Sequence, residues 1–179
     1  METEQMLSCA YEEGFSAAAV VDPSEIVFDP AFRPYCQENL CGQYGINYSC
    51  PPDCGSPDEM RARVLSRKKA LVLQTIWEIP DLSDAGAIKK AKVSHNAAQI
   101  RLAKRFRSKG RPGFLVGASG CALCSPCAKA QGEPCRFPDD QYSCMSAYCI
   151  FVRKLAEKCE MEYNLPDGLL AFFGMYVFD

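Results

Sequence analysis

Runs of apolar residues divide the chain into segments that predict strands. The segments from Ala70 to Ile79 and from Gly168 to Phe178 are mainly apolar, which predicts buried strands. Residues 17–21 and 114–116 predict two shorter strands, and residues 25–28 are expected to be extended. The pattern therefore predicts a sheet whose strands come from the whole length of the chain.

Helical spacing and helix-start residues mark the segments between these strands. Ser56 followed by Pro57 and two acidic residues is typical of a helix start, because serine caps the first turn and proline fits the first helical position. Gly110 and Pro112 are expected to end a long helix that residues 83–84 begin. Helices are predicted over residues 2–15, 56–66, 83–110 and 145–159.

The order of these elements predicts one α/β or α+β domain, with helices packed on a mixed or parallel sheet. A chain of 179 residues is long enough for one well-packed core and short for two, so we expect a single domain over residues 1–179. Two cysteine-rich segments are inserted between the regular elements. We call them loop one, about residues 34–56, and loop two, about residues 117–138.

Loop two contains four cysteines at a spacing typical of an iron–sulfur cluster. Cys121, Cys124 and Cys127 are separated by two residues each, and Cys135 follows. Thiolates at this spacing can each bind a different iron of a cubane cluster. A single zinc ion would crowd the backbone if it took three thiolates from so short a loop. The spacing therefore favours a [4Fe–4S] cluster over zinc.

Loop one contains a second group of cysteines. Cys36, Cys41, Cys50 and Cys54 lie within nineteen residues, among prolines and glycines that are poor at forming helix or sheet. Metal binding would give this segment the order that its sequence lacks. We interpret the four cysteines as candidate ligands, and a proline-rich surface loop with incidental buried cysteines is the alternative.

The cysteine content and the charge narrow the class of protein. The chain has twelve cysteines, and its acidic N-terminus lacks the basic start and apolar core of a signal peptide. We therefore expect a cytoplasmic protein in which clustered thiols bind metal rather than form disulfides. The apolar stretches are too short to span a membrane. The net charge of −2 gives no reason to expect nucleic acid as a partner.

Positive charge is concentrated between residues 89 and 111, where the chain carries no acid. This face of the long helix could dock an acidic redox partner. A solvated helix face, balanced by acids elsewhere in the fold, is the simpler interpretation. The basic residues are Lys89, Lys90, Lys92, Arg101, Lys104, Arg105, Arg107, Lys109 and Arg111.

Both loops resemble the motifs of one protein family. The segment from Cys36 to Pro52, with Tyr44-Gly45-Ile46-Asn47 inside it, is similar to the first motif of the predicted metal-binding proteins catalogued as domain of unknown function 2284. The loop-two cysteines, with Pro134-Cys135-Arg136 and Ser146-Ala147-Tyr148, are similar to its second motif. The resemblance covers about residues 15–178 and implies metal binding in a family typical of anaerobic bacteria and archaea, whose activity is not settled. The ligand candidates that match are Cys36, Cys41, Cys50, Cys121, Cys124, Cys127 and Cys135.

The chain departs from the family motif at two positions. Cys54 stands where the motif requires no cysteine, and Cys149 stands where glycine is usual. With Cys54 as a fourth ligand, loop one would hold a closed site suited to structure or electron transfer. Without it, three ligands would leave a metal position open to a small molecule.

Several other residues keep more than one interpretation. Cys50 precedes a proline, as a ferredoxin ligand does, and could complete the loop-two site in place of Cys135. Cys144 and Cys149 follow loop two closely enough to be ligands or redox-active thiols, although packing is the simpler role. His95, the only histidine, is expected to be a hydrogen-bonded core residue, with a metal or proton-transfer role as the alternative.

The cysteines support three functional hypotheses. The first is an iron–sulfur protein with one or two [4Fe–4S] clusters and an electron-transfer or redox accessory role in anaerobic metabolism. The second is an enzyme that uses an open-site cluster on a small molecule. The third is a zinc-stabilised interaction module that uses the same cysteines.

Overall fold

The computed structural model describes all 179 residues and contains a five-stranded mixed sheet. The strands are β1 (Ala17–Val21), β2 (Lys69–Glu78), β3 (Gly113–Gly117), β4 (Ser143–Cys144) and β5 (Leu169–Phe178). Their order in the sheet is β1-β2-β5-β3-β4, and every neighbouring pair is antiparallel except β3 with β4. The predicted mixed sheet packed with helices is confirmed, as an α+β domain.

Five α-helices surround the sheet, and the starts of two of them follow the predicted capping residues. Ser56 Oγ accepts a hydrogen bond from the Glu59 N–H at 3.3 Å, and the Glu59 carboxylate accepts one from the Ser56 N–H at 2.8 Å. Asp84 caps the longest helix by accepting from the Ala87 N–H at 2.9 Å. No helix has both the length and the apolar composition needed to cross a membrane. The helices are α1 (Thr3–Glu12), α2 (Arg33–Gln37), α3 (Pro57–Leu65), α4 (Ala85–Ser108) and α5 (Val152–Lys158).

The core has one layer on each face of the sheet. Along β2, Leu71 and Leu73 pack with apolar residues of α1 and α4. Ala70 and Val72 point the other way and pack with residues of α3 and α5. Because both faces of the central strands are covered, these strands are apolar at consecutive positions rather than at alternate ones.

Two predicted segments differ in the structure. The helix predicted over residues 145–159 is limited to α5, because the chain first forms β4 and then turns through Cys149, whose φ is +55°. The extended segment predicted at residues 25–28 begins instead with one 3₁₀ turn at Pro23–Glu25. Asp22 stabilises that turn by accepting a hydrogen bond from the Ser24 N–H at 2.8 Å.

Candidate metal centre

Loop two begins where β3 ends and returns to the sheet at β4, beside its own starting point. Asn96, on α4, fixes its first residues. The Asn96 Oδ1 accepts from the Ala118 N–H at 3.0 Å, and its Nδ2 donates to Ser119 Oγ at 2.7 Å. The long helix therefore holds the entrance of loop two against the edge of the sheet.

Two glycines allow loop two to approach its neighbours closely. A Cβ at Gly117 would lie 2.8 Å from the ring of Tyr142, and a Cβ at Gly120 would lie 3.1 Å from Cys50 Sγ. Neither glycine has a left-handed φ. These residues provide space rather than an unusual backbone conformation, and the second of them brings a loop-one thiol against the start of loop two.

Buried polar side chains of loop one bind the backbone of loop two at Cys121. The Cys121 N–H donates to Ser49 Oγ at 2.9 Å, and Asn47 Nδ2 donates to the Cys121 carbonyl at 3.0 Å. The Asn47 Oδ1 accepts from both the N–H and the hydroxyl of Ser49, which holds the two side chains in register. The two loops therefore form one continuous structure.

A second set of contacts joins the loops further along loop two. The Tyr48 hydroxyl donates to the Glu133 carbonyl at 2.9 Å, and Lys129 forms an ion pair with Asp53. The Lys129 ammonium also lies over the Tyr48 ring, 5.4 Å from its centroid. These contacts close loop two over loop one.

The first thiol of loop two is partly buried, and backbone groups form hydrogen bonds with its sulfur. Burial raises the pKa of Cys121, while backbone hydrogen bonds from Leu123 and Tyr142 lower it. The thiols of Cys124 and Cys135 are close enough to raise it further. Backbone N–H groups directed at a cysteine sulfur are a common feature of iron–sulfur sites.

The remaining loop-two thiols lie around Arg136. An ion pair with Glu133, at 3.0 Å, is the main reason that the pKa of Arg136 is raised, and nearby Cys124 and Cys127 raise it further. All four loop-two cysteines are partly exposed. The structure thus places the loop-two cysteines in one neighbourhood, beside a cation.

The loop-one thiols differ widely in burial: Cys50 and Cys54 are buried and Cys36 is partly exposed. Burial is the main reason that the pKa of Cys50 is raised to about 12, and the thiols of Cys144 and Cys41 add to this effect. The pKa of Cys36 is raised to about 11, again first by burial and then by Cys144, while Arg33 lowers it. Cys41 is exposed. A thiol from outside loop one, that of Cys144, is therefore among the nearest neighbours of both Cys36 and Cys50.

Cys54 is the one loop-one cysteine that belongs to the main core cluster. It is 5% exposed and belongs to the core cluster that contains Met60, Val64 and Tyr148. Burial raises the pKa of its thiol, and Arg33 lowers it. The residue is therefore well packed whether or not it binds metal.

Arg33 connects the segments that carry the loop-one thiols. Its Nη1 donates to the Gly55 carbonyl at 2.9 Å and its Nη2 donates to the Ala147 carbonyl at 2.8 Å. Its Nε is buried without a partner, and Arg33 is absent from the ion pairs of the structure. The Arg33 guanidinium therefore has carbonyl partners but no carboxylate partner. The neighbouring thiols, once deprotonated, are the groups that can supply the negative charge.

No three His, Cys, Asp or Glu side chains are arranged so that they could hold a metal ion as they stand. The thiols are grouped as neighbours rather than held at coordination distance. Their chemistry nevertheless fits thiolate-bound metal, because the donors are sulfur, backbone N–H groups point at two of them, and Arg33 lacks an acidic partner.

Comparison with known families decides the classification. The family model described as predicted metal-binding protein (DUF2284) matches residues 19–178. The chain belongs to this family. The match confirms the family resemblance found in the sequence and supports metal binding, while no curated protein and no solved structure shows significant similarity to the chain.

Cys149 has a backbone conformation that favours glycine. Cys149 has a φ of +55°, in the left-handed region that glycine adopts without steric cost. Its side chain is 1% exposed, and its carbonyl accepts from the Asp29 N–H at 2.8 Å. Cys149 is therefore a buried residue at a turn whose backbone conformation favours glycine.

His95 has no contact with either loop that would make it a ligand. It is fully buried, its Nδ1 lies 2.7 Å from Thr75 Oγ1, and its ring packs edge-on against Phe15. Its Nε2 has no hydrogen-bond partner. Burial lowers the pKa of His95 to about 4, so the ring is neutral at physiological pH.

A cavity of about 410 Å³ lies beside the two loops. Its lining includes Asp53 and Cys54 from loop one and Pro138 from the end of loop two, together with Arg63 and Arg67. Arg67 pairs with Asp179 at 2.7 Å, whereas Arg63 is absent from the ion pairs of the structure. Sequence reasoning did not identify this cavity, because its lining comes from segments far apart in the chain.

Three arginines of the long helix α4 form ion pairs with acidic residues of the same chain. At the end of α1, Glu13 pairs with Arg101 at 2.9 Å and Glu12 pairs with Arg105 at 2.7 Å, and Arg107 pairs with Asp140 at 2.6 Å. The exposed lysines that remain outside these pairs are Lys89, Lys90, Lys104 and Lys109.

Proposed function

We propose that the chain is an iron–sulfur electron carrier with a [4Fe–4S] cluster in each cysteine loop. The observation that carries the proposal is the direct contact of the two loops, in which Cys50 Sγ packs against Gly120, next to the first loop-two thiol. Two redox centres in neighbouring loops could exchange electrons with each other and with a partner.

The residues of the chain have defined roles in this proposal. Cys121, Cys124, Cys127 and Cys135 would hold one cluster, and loop one would hold the other through Cys36, Cys41, Cys50 and a fourth thiol, for which Cys54 is the candidate within that loop. A bound cluster supplies reversible one-electron transfer. Ser49 and Asn47 fix the distance between the loops, and backbone N–H groups at Cys121 tune the site by stabilising negative charge on sulfur.

The partner proposed for this function is an acidic redox protein. The exposed lysines of the long helix, with Lys89 and Lys90 near its start and Lys104 and Lys109 near its end, provide a positive surface that in-chain ion pairs do not neutralise. Twelve free cysteines suit a reducing compartment, so we place this activity in the cytoplasm of an anaerobe.

Purification without oxygen tests the proposal. We expect a brown protein with iron and acid-labile sulfide in equal amounts, and an electron paramagnetic resonance signal that appears on reduction. Stoichiometric zinc without sulfide in a colourless protein would instead support the zinc-stabilised module.

The cavity favours a second candidate function, an enzyme that uses an open-site cluster on a small anion. The cavity has the volume of a small-molecule site, and the Arg63 guanidinium is available to bind a carboxylate or phosphate. A change in the cluster spectrum on adding small carboxylates or phosphate, abolished by Arg63→Met, would support this function. Spectra that do not respond to these anions leave the electron carrier as the conclusion.

A further inference from the structure

Cys144 lies outside both loops, at the point where the sheet meets them. β4 pairs in parallel with β3, so that Cys144 lies opposite Gly117, the last residue before loop two. Its side chain packs against the core cluster that also contains Cys54. The topology therefore delivers a thiol to this edge of the sheet from a segment more than a hundred residues after Cys36.

All four loop-one thiols, Cys54 included, lie within electrostatic reach of Cys144. Cys36 and Cys50 are each influenced by Cys144 and by Cys41, and Cys144 is itself influenced by Cys41. The thiols of loop one and Cys144 therefore form one neighbourhood from two separate segments, loop one and β4. Of the loop-one thiols, Cys36, Cys41 and Cys50 are the cysteines that match the first family motif.

The geometry around Cys144 suits a thiolate ligand. Its sulfur accepts a hydrogen bond from the Ala147 N–H at 3.4 Å, and the Ser146 backbone also bonds to it. The carbonyl of Ala147 accepts from Arg33 Nη2, which ties the turn after Cys144 to the helix that carries Cys36. Arg33 thus lies between the two segments as the cation that several thiolates would require.

Cys54 also lies near Arg33 and Cys144, but its sulfur has different surroundings from that of Cys144. Its side chain packs among Met60, Val64 and Tyr148 in the core, where removal of a sulfur leaves a cavity. Its nearest polar contact is weak, with 3.8 Å between its Sγ and the carbonyl oxygen of Gly55. Packing accounts for Cys54 without metal.

We infer that Cys144, rather than Cys54, completes the loop-one site with Cys36, Cys41 and Cys50, and that Arg33 is the positioning residue that balances its negative charge. The inference rests on metal binding by loop one, as proposed above. It makes the loop-one site a closed four-thiolate site and assigns Cys54 to the core.

The test compares Cys144→Ser with Cys54→Ser in a Cys124→Ser background, where loop one holds the metal that is measured. We expect Cys144→Ser to lower the bound metal about tenfold at equal chelator concentration, and Cys54→Ser to leave it unchanged. Cys159→Ser, in α5's C-cap, is the matched control. The inference is overturned if Cys54→Ser loses the metal and Cys144→Ser retains it. It is also overturned if both variants retain the metal or if both lose it.

A measurement on the unsubstituted chain covers the case in which Cys144→Ser fails to fold. Alkylation followed by mass spectrometry should modify Cys144 after metal removal and not before, whereas Cys54 should stay unmodified in both states because it is buried. Equal labelling of Cys144 with and without metal overturns the inference.

Arg33 provides an independent readout. Arg33→Met should weaken metal binding at loop one by about tenfold or more, and Arg33→Lys should recover part of it because the charge returns without the second carbonyl contact. Equal affinity in Arg33→Met and the unsubstituted chain contradicts the charge-balancing role. If the purified chain holds zinc and no sulfide, the proposed iron–sulfur function is wrong. The comparison of Cys144→Ser with Cys54→Ser still tests the role of Cys144 in that case, with bound zinc as the measured quantity.

Discussion

The two cysteine loops reach comparable sets of thiols by different routes. Loop two brings together four cysteines from one short segment, and all four stay partly exposed. Loop one places its thiols against a buried arginine and beside Cys144, which belongs to the sheet. The difference shows that one group of thiols is encoded locally, whereas the other depends on how distant segments pack.

The largest effect that can break this comparison is loss of the loop-two metal. Cys124→Ser should remove about half of the bound iron and leave the loop-one signal in place, because the two sites use separate thiols. Iron analysis and electron paramagnetic resonance measure the outcome. Loss of all iron would show that the sites are interdependent, as expected if Cys50 were a ligand of the loop-two site.

The next effect concerns the stability of the core at low pH, which depends on His95 rather than on the loops. The folded-state pKa of His95 is lowered from 6.5 to about 4 by burial, so the unfolded chain binds a proton that the folded chain does not. Stability is therefore present above about pH 6.5 and is lost as the pH falls toward about 4, by roughly 3 kcal/mol in total.

Thermal unfolding at about pH 7 and about pH 5 measures this loss. In His95→Gln, which has no titrating ring and keeps a polar group near Thr75, the dependence on pH should be much smaller. An unchanged dependence in that variant would place the acid sensitivity elsewhere, including in the loops.

A smaller effect tests the contact between the loops. Ser49→Ala leaves the Cys121 N–H without its acceptor and removes one of the two hydrogen bonds that Asn47 Oδ1 accepts, which should cost about 1–3 kcal/mol of unfolding free energy. Denaturant titration measures it, with Ser8→Ala on the exposed face of α1 as the control. Equal stability of the two variants would mean that the loops do not depend on this contact.

The smallest effect concerns the turn between β4 and α5. Cys149→Ala keeps the left-handed φ strain and loses the buried sulfur, while Cys149→Gly loses the sulfur and relieves the strain. The glycine variant should therefore be more stable than the alanine variant by about 1 kcal/mol. An alanine variant of equal or greater stability would contradict the steric reason for glycine at this position.

Much of the local structure could be predicted because its signals are local. The capping residues Ser56 and Asp84 fixed the starts of two helices, and the long apolar runs identified β2 and β5. The helix expected over residues 145–159 was too long, because helical spacing does not reveal that Cys149 turns the chain. Arg33 gave no signal, since its partners lie 22 and 114 residues away.

The sequence by itself determined the family, and with it the expectation of metal binding, because family motifs and cysteine spacing are properties of short segments of the chain. It also determined the main helices and strands, which follow from capping and apolar runs. Only the tertiary structure decided which thiols are neighbours of loop one, that Gly120 lies against Cys50, and that a cavity opens beside both loops. Those features depend on sheet order, which places β4 beside β3 and brings segments from different parts of the chain to one edge.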